Sequence, residues 1–432
     1  MLLHPSFDIN EAGHLTVAGL DAVEIAREFG TPAYLLDIDA VRAQCRMYRD
    51  AFREHFGGDS LPAYAGKALC YKGLYTVAAE EGMLADCVSP GELHTARAAG
   101  FPMEKVFFHG NNKTDDDLRY ALELGVGHIV VDGEDELEAL ERLAASAGKR
   151  PHILLRITPG IDPHTHKKVV TGSVDSKFGS AITTGQALGF VEKALACPHL
   201  ALDGFHCHVG SQIFDTEPFE DACDIMLAFI AQVKRRTGYE AEILNLGGGF
   251  GVRYTEDDPA IDIRENIRIL GRETDRMCAL HGVKKPTIVM EPGRSLVAAA
   301  GCTLYTCGSV KSIPRFRNYV SVDGGMPDNP RYALYQSRYT ILNASRASEP
   351  ADFLCTVAGR CCESGDLLSE DAVLKKPERG DIIAVLVTGA YNYSMASNYN
   401  RVPRPPLVEL SGKGAVIAVR RETCEDLISL DL

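Results

Sequence analysis

Several short stretches of this chain carry groups that can do chemistry. The run Pro62-Ala63-Tyr64-Ala65-Gly66-Lys67-Ala68-Leu69-Cys70 holds one lysine among small and apolar residues, with no acidic neighbour beside it. Taken alone, that lysine reads as a strand end reaching water, because lysine is mostly a surface residue. In Asn245-Leu246-Gly247-Gly248-Gly249-Phe250-Gly251, three consecutive glycines let backbone N–H groups approach an anion closely, or simply make a tight turn. The stretch matches neither the dinucleotide fingerprint nor a P-loop. Met290-Glu291-Pro292-Gly293-Arg294 offers a carboxylate for a cofactor cation and a guanidinium for an anion, unless the two only pair with each other.

Three further stretches complete the candidates. His206 and His208 flank Cys207 and face one side of a strand, a pair that lacks a third ligand at a recognisable zinc spacing. His164 and His166, in a loop-like stretch, add little, so no metal site is expected. Arg360-Cys361-Cys362-Glu363-Ser364-Gly365-Asp366 sits between two β-type runs. Adjacent cysteines there read as one buried and one exposed. Gly389 to Asn400 is dense in Tyr and Asn and suits ligand hydrogen bonding as readily as a surface turn.

The elements that must position these groups follow a regular alternation. Apolar β-type runs occur at Leu61–Ala65, Leu84–Val88, Lys105–Phe108, His128–Val131, His152–Ile157, Leu202–Cys207, Glu242–Leu246 and Thr287–Met290. Amphipathic helical patterns at 90–99, 114–124, 134–147, 217–236 and 262–281 fall between them. This alternation predicts a (β/α)8 barrel, with a doubly wound open sheet as the competing architecture. Reactive groups of such a barrel gather at the C-terminal ends of its strands. The residues just past the runs are Lys67, Ser89, His109 with Asn111, Asp132, Arg156, His208, the glycines 247–249, and Glu291 with Arg294. Solubility alone does not explain polar groups at one end of most strands, so Lys67 reads as part of a site.

Beyond the eighth run the pattern changes to Val-, Ile-, Thr- and Cys-rich segments at Leu296–Ser312, Tyr319–Asp323, Asp352–Ala358 and Asp381–Thr388. They predict a mainly antiparallel β domain over 296–432, joined by β-like pieces of residues 1–35, with the barrel occupying 36–295.

The bulk numbers restrict the function classes. A chain of 432 residues exceeds one usual core and favours two domains. The net charge of −14 argues against nucleic-acid binding, which needs clustered Lys and Arg. An anionic small molecule remains compatible with a local cationic pocket. The 13 cysteines include no C-x-x-C pair, no signal peptide is visible, and no apolar run approaches a membrane span. A reduced, soluble, cytoplasmic protein is expected.

Taken together, YAGKA, FHGNNK, HCHVGSQ, NLGGGFG, EPGRS, VDGGMPDNPRYALY, CESGD and GAYNYSMASNYN resemble the fold-type III pyridoxal-phosphate decarboxylases, in order from about residue 30 to 410. The last three are most similar to the diaminopimelate decarboxylase family. The resemblance implies pyridoxal 5'-phosphate as cofactor, decarboxylation of meso-2,6-diaminopimelate to L-lysine, and a homodimer with shared active sites. It implies that Lys67 holds the cofactor as a Schiff base, which needs an unprotonated amine, and that a largely buried barrel mouth favours that form. Glu291 would face the pyridinium nitrogen, His208 the ring, and Gly247, Gly248, Gly249, Ser211, Arg294 and Tyr391 the phosphate. Arg331, Tyr335 and Arg294, with Tyr391, would hold the distal end of the substrate, Glu363 its distal ammonium, and Cys362 would return a proton after CO2 leaves. A simple diamine decarboxylase has no distal carboxylate for an arginine like Arg331. Leu69, Tyr332 and Asn392 stand where the family commonly has Asn, Pro and Gly, and none of these departures removes a group with a chemical role. The competing readings are a decarboxylase of a related amino acid, such as carboxynorspermidine or ornithine, and a non-catalytic relative. The presence of both Lys67 and Cys362 weighs against the latter.

Overall fold

The computed structural model describes residues 2–161 and 176–432, so His164 and His166 lie outside the described residues. The chain divides into two compact units. One comprises Gln44–Gly251 and Ile261–Gly293, the other Met1–Ala43, Val252–Ala260 and Arg294–Leu432.

Eight parallel strands form the first unit: β1 (Leu61–Ala65), β2 (Leu84–Cys87), β3 (Val106–Phe108), β4 (His128–Val131), β5 (His152–Thr158), β6 (Ala201–His206), β7 (Ile243–Asn245) and β8 (Thr287–Met290). Each pairs with the next, and β8 pairs back onto β1 through Val289↔Leu61 and Met290↔Pro62. The cylinder is therefore closed, which decides against the open sheet. Helices Pro90–Ala98, Asp115–Leu124, Glu134–Ala147, Glu217–Thr237 and Ile263–His281 follow the expected amphipathic patterns within a residue or so. Two more, Lys72–Glu80 and Gln186–Leu195, were not expected. Neither has a side chain capping its N-terminus, so the usual start signal is missing from their sequences.

The barrel interior is built in layers. Ala63, Phe107, Val130, Leu154 and Val289 form one buried apolar cluster, with Leu84 and Ile243 packed against it. Side chains on a strand repeat with period two, so the next inward position on each strand lies two residues further on. Those positions are Ala65, Asp86, His109, Asp132, Arg156, Asn245 and Glu291, and all are buried. On β6 the corresponding steps are Gly204, His206 and His208. Gly204 is required there, because a Cβ would stand 1.9 Å from the Ile243 carbonyl oxygen of β7. Apart from Ala65 on β1, the positions above the apolar floor thus make one polar layer.

The second unit is built on the long strand Gly301–Ile313, which pairs antiparallel with Ala33–Asp37, Arg317–Val322 and Ile382–Leu386. Two parallel pairings extend it, Ala33–Asp37 with Leu407–Ser411 and Arg317–Val322 with Phe353–Ala358. The expected β run from Leu296 begins later, because Arg294–Val297 and Ala298–Ala300 are helical turns.

Candidate active site

Lys67 sits in the 3-10 turn Gly66–Ala68 that follows β1. Gly66 allows that turn, since a Cβ there would meet the Tyr75 hydroxyl at 2.2 Å. The Lys67 side chain is 42 % exposed and its Nζ lies 3.9 Å from Asp86 Oδ2 on the neighbouring strand. This corrects two expectations: the amine is not largely buried in this chain, and an acidic group does stand beside it. Asp86 escaped notice because it lies 19 residues further on and inside its strand rather than just past it.

Glu291 follows β8 and is the centre of the polar layer. Asn245 Nδ2 donates to its Oε1 at 2.7 Å, and His206 Nε2 donates to its Oε2 at 3.3 Å. His109 Nε2 stands 2.8 Å from Oε1 and 3.7 Å from Asp86 Oδ1. Burial alone would push the Glu291 carboxyl up, but the His109 and His206 imidazoles outweigh it and hold the carboxyl well below the usual range. Asp86 goes the other way: burial raises it, and the Glu291 charge adds to that against the pull of His109 and Lys67. Two neighbouring carboxyls are thereby pushed apart, Glu291 towards the permanent anion and Asp86 towards the proton holder. An acid biased to its neutral form is compatible with an uncharged amine nearby.

His206 and His208 are neutral rings. Burial pushes His206 down to about 3, with Glu291 opposing the shift, so the ring donates from Nε2 as a neutral imidazole. His208 is lowered well below its usual value by burial and then by Lys67 and Arg156. Its Nδ1 accepts the Gly248 N–H at 3.3 Å, which ties the ring to the glycine turn. Donor atoms of His109, His206 and Glu291 lie within 4.8 Å of one another, a grouping strand spacing did not reveal. In this chain the set orients one carboxylate.

The glycine turn after β7 is shaped by close backbone approach. Gly247 has φ +68° and donates its N–H to Asn245 Oδ1 at 2.9 Å, while Glu291 N–H donates to Gly247 O at 2.8 Å. A Cβ on Gly248 would lie 2.1 Å from the Glu291 carbonyl oxygen. Ser211, in the loop after β6, is half-buried. Arg156 and Asp132 stand 3.7 Å apart in the same barrel, with the Arg156 guanidinium 4.2 Å from the Phe178 ring centroid. The structure thus brings Lys67, His208, Gly247, Gly248, Gly249 and Glu291 to one end of one barrel. It adds Asp86, His109, His206 and Asn245. A second cluster, His128, His152 and Asp203, joins the opposite ends of β4, β5 and β6, with Asp203 Oδ2 at 3.0 and 2.9 Å from the two rings.

The remaining predicted residues belong to the second unit. Arg294 Nη1 donates to the Tyr254 hydroxyl at 2.6 Å, and its guanidinium lies 4.9 Å from the Tyr391 ring centroid. Arg331 lies 5.4 Å from the same ring and 5.1 Å from that of Tyr335. Both arginines are buried. Arg331 Nε has no hydrogen-bond partner among the described residues. Two buried guanidiniums flanking one tyrosine could hold a planar anion. Asn392, in place of the frequent glycine, is fully buried and donates to Thr388 O at 3.1 Å. Cys362 and Glu363 are exposed in the loop after Phe353–Ala358.

These residues fit a pyridoxal group on the structure's own terms. A buried anionic carboxylate matches a protonated pyridine nitrogen, neutral imidazole matches a ring face, and a reachable primary amine matches an aldehyde. The family model described as "Pyridoxal-dependent decarboxylase, pyridoxal binding domain" matches residues 38–298. Diaminopimelate decarboxylase of Bacillus subtilis is 45% identical over 432 residues, 100% of this chain and 98% of the relative. That of Staphylococcus aureus is 42% identical, covering 98% of each. Among solved structures, diaminopimelate decarboxylase from M. jannaschii in co-complex with L-lysine superposes with a TM-score of 0.91 at 34% identity, over 100% of this chain and 99% of that one.

Proposed function

We propose a division of labour among the residues of a chain that belongs to the diaminopimelate decarboxylases, a branch of the pyridoxal-dependent decarboxylases. The chain catalyses decarboxylation of meso-2,6-diaminopimelate to L-lysine and CO2 with pyridoxal 5'-phosphate as cofactor. Bound pyridoxal phosphate supplies the electron sink for the carbon that loses CO2.

Lys67 would hold the cofactor through Nζ, with the Asp86 carboxyl as its neighbour, Oδ2 3.9 Å away. Glu291 keeps a proton on the ring nitrogen, and its bonds from Asn245 and His206 fix the carboxylate for that task. His208, neutral and tied to Gly248, would offer its imidazole face to the cofactor ring. Gly247, Gly248, Gly249 and Ser211 cradle the phosphate with Arg294 and Tyr391. Arg331, Tyr335 and Arg294 bind the distal carboxylate, with Tyr391 between the two guanidiniums, and Glu363 binds the distal ammonium. Cys362 returns the proton. Its exposure, with that of Glu363, suits delivery into the site of a partner, so the enzyme acts as a homodimer. Among the described residues no helix is long and apolar enough to cross a membrane, and we assign the enzyme to the cytoplasm.

The observation that carries the substrate assignment is the buried Arg331, with Nε unpartnered among the described residues. A substrate panel tests it: CO2 release from meso-diaminopimelate, ornithine and carboxynorspermidine. Rapid release from diaminopimelate is expected. Release from ornithine with none from diaminopimelate would overturn it.

A further inference from the structure

The loop that carries Cys362 is held in place by two side chains with no role so far. Asp366 is buried and grips three backbones: its Oδ2 accepts the Cys361 N–H at 2.7 Å, its Oδ1 accepts the Met326 N–H at 2.6 Å, and its own carbonyl accepts the Gly359 N–H at 2.8 Å. The next peptide is fixed from elsewhere in the chain. Cys362 N–H donates to Asn400 Oδ1 at 2.8 Å, across 38 residues. A peptide tethered at both Cys361 and Cys362 fixes the direction of the Cys362 Cα–Cβ bond and leaves the thiol only the staggered positions about χ1.

Asn400 is itself held in an unusual conformation, at φ 52° and ψ 24°. That left-handed region disfavours most side chains and admits Asn, Asp and Gly. The turn around it is secured by Arg401 N–H donating to Asn398 O at 2.8 Å and by Asn398 Nδ2 donating to Glu422 Oε2 at 2.6 Å. A residue kept there with its amide oxygen on the Cys362 N–H is doing more than closing a surface turn.

We infer that Asn400 is a positioning residue for the Cys362 thiol, holding it in the direction from which the proton reaches the carbon that has lost CO2. The inference rests on the reading of Cys362 as proton donor given above. The thiol gives its proton to that carbon, a C–H bond forms, and the thiolate is reprotonated from solvent, so no other reactant is consumed.

The backbone requirement makes a clean test possible. Asn400→Gly keeps the left-handed conformation and removes the acceptor, whereas Asn400→Asp keeps both. Steady-state kinetics on the holoenzyme would be measured for both variants, for Cys362→Ala and for the Cys362→Ala/Asn400→Gly double variant. A misplaced proton donor is expected to lower kcat about tenfold in Asn400→Gly, with KM little changed. Asn400→Asp should restore kcat. The double variant should be no slower than Cys362→Ala, because a residue acting through Cys362 has nothing to position once the thiol is gone. Wild-type kcat in Asn400→Gly, or multiplying losses in the double variant, overturns the inference. Wild-type kcat in Cys362→Ala instead overturns the reading of Cys362 on which it rests.

Discussion

Replacing Gly248 by alanine would place a methyl carbon 2.1 Å from the carbonyl oxygen of Glu291 and 2.9 Å from its carbonyl carbon. Real Cβ atoms keep at least 3.0 Å from such neighbours, so the turn after β7 and the start of the segment after β8 must part by about 0.9 Å. The obstacle is backbone rather than the end of a flexible side chain, and it cannot swing away. The strain falls on Glu291 N–H to Gly247 O at 2.8 Å and on Asn245 Nδ2 to Glu291 Oε1 at 2.7 Å. Overpacking of this kind costs ~1–3 kcal/mol of stability. The larger effect belongs to the site, because Glu291 and the glycine turn move against each other. A displacement near 1 Å can cost on the order of a hundredfold in catalysis. We expect cofactor affinity to fall at least about tenfold and turnover to fall further, read by titrating the cofactor-free protein with pyridoxal phosphate and following its visible absorption. Gly189→Ala is the matched control: that glycine lies inside helix Gln186–Leu195 with nothing within 4 Å of its would-be Cβ. It should leave cofactor binding unchanged and stabilise by ~0.5–1 kcal/mol. Wild-type cofactor binding and turnover in Gly248→Ala would refute the reasoning.

Two further outcomes follow from the charges. Glu92 is pushed up to about 7, first by burial and then by Asp86, against the Val88 N–H that it accepts at 2.7 Å. The folded chain therefore keeps a proton that the unfolded chain releases near its ordinary value, and this group's contribution to stability falls as pH rises through roughly 4.5 to 7, by ~3 kcal/mol at most. Glu92→Gln keeps the Val88 contact and cannot ionise, so its stability relative to wild type should grow across that window in urea unfolding. A difference independent of pH would sink the argument. Arg331→Lys keeps the charge and loses the planar fork and its packing on Tyr335 and Tyr391. KM for diaminopimelate should rise about ten- to a hundredfold with a smaller change in kcat, and an unchanged KM would remove Arg331 from the distal-carboxylate site.

The alternation of apolar runs and amphipathic helices announced a barrel because each strand is short, apolar and bounded by turn residues. Lys67, His208, Glu291 and the glycines 247–249 were legible for a related reason: each falls just past the end of a strand, where barrel chemistry gathers. Asp86 and Asn245 were not legible, since they lie within strands that read as apolar runs, as Leu-Ala-Asp-Cys and Ile-Leu-Asn do. A single carboxylate or amide in a strand looks like an outward-facing position until the closed sheet shows which alternate set points in. The same limit applies to Asn400, because nothing in Tyr399-Asn400-Arg401 announces a partner 38 residues earlier.

The layered interior explains why fold and site are hard to separate. Ala63, Leu84, Phe107, Val130, Leu154, Ile243 and Val289 close the floor of the barrel, and the residues two positions later on the same strands form the polar layer. Burying Asp86, Asp132, Arg156 and Glu291 together costs stability, since each polar group gives up water for partners at 2.7 to 3.9 Å. The apolar floor offsets that cost, at ~1.5–3 kcal/mol for each large side chain fully buried. Register ties the two layers: a one-residue slip on any strand would turn its floor residue and its polar residue to the other face together. The pairing that packs the floor is therefore the pairing that brings Glu291 to His206 and Asn245, and Asp86 to Lys67. A substitution in the floor, such as Val289→Ala, should then disturb cofactor binding as well as stability, although its side chain is apolar and carries no group of the site.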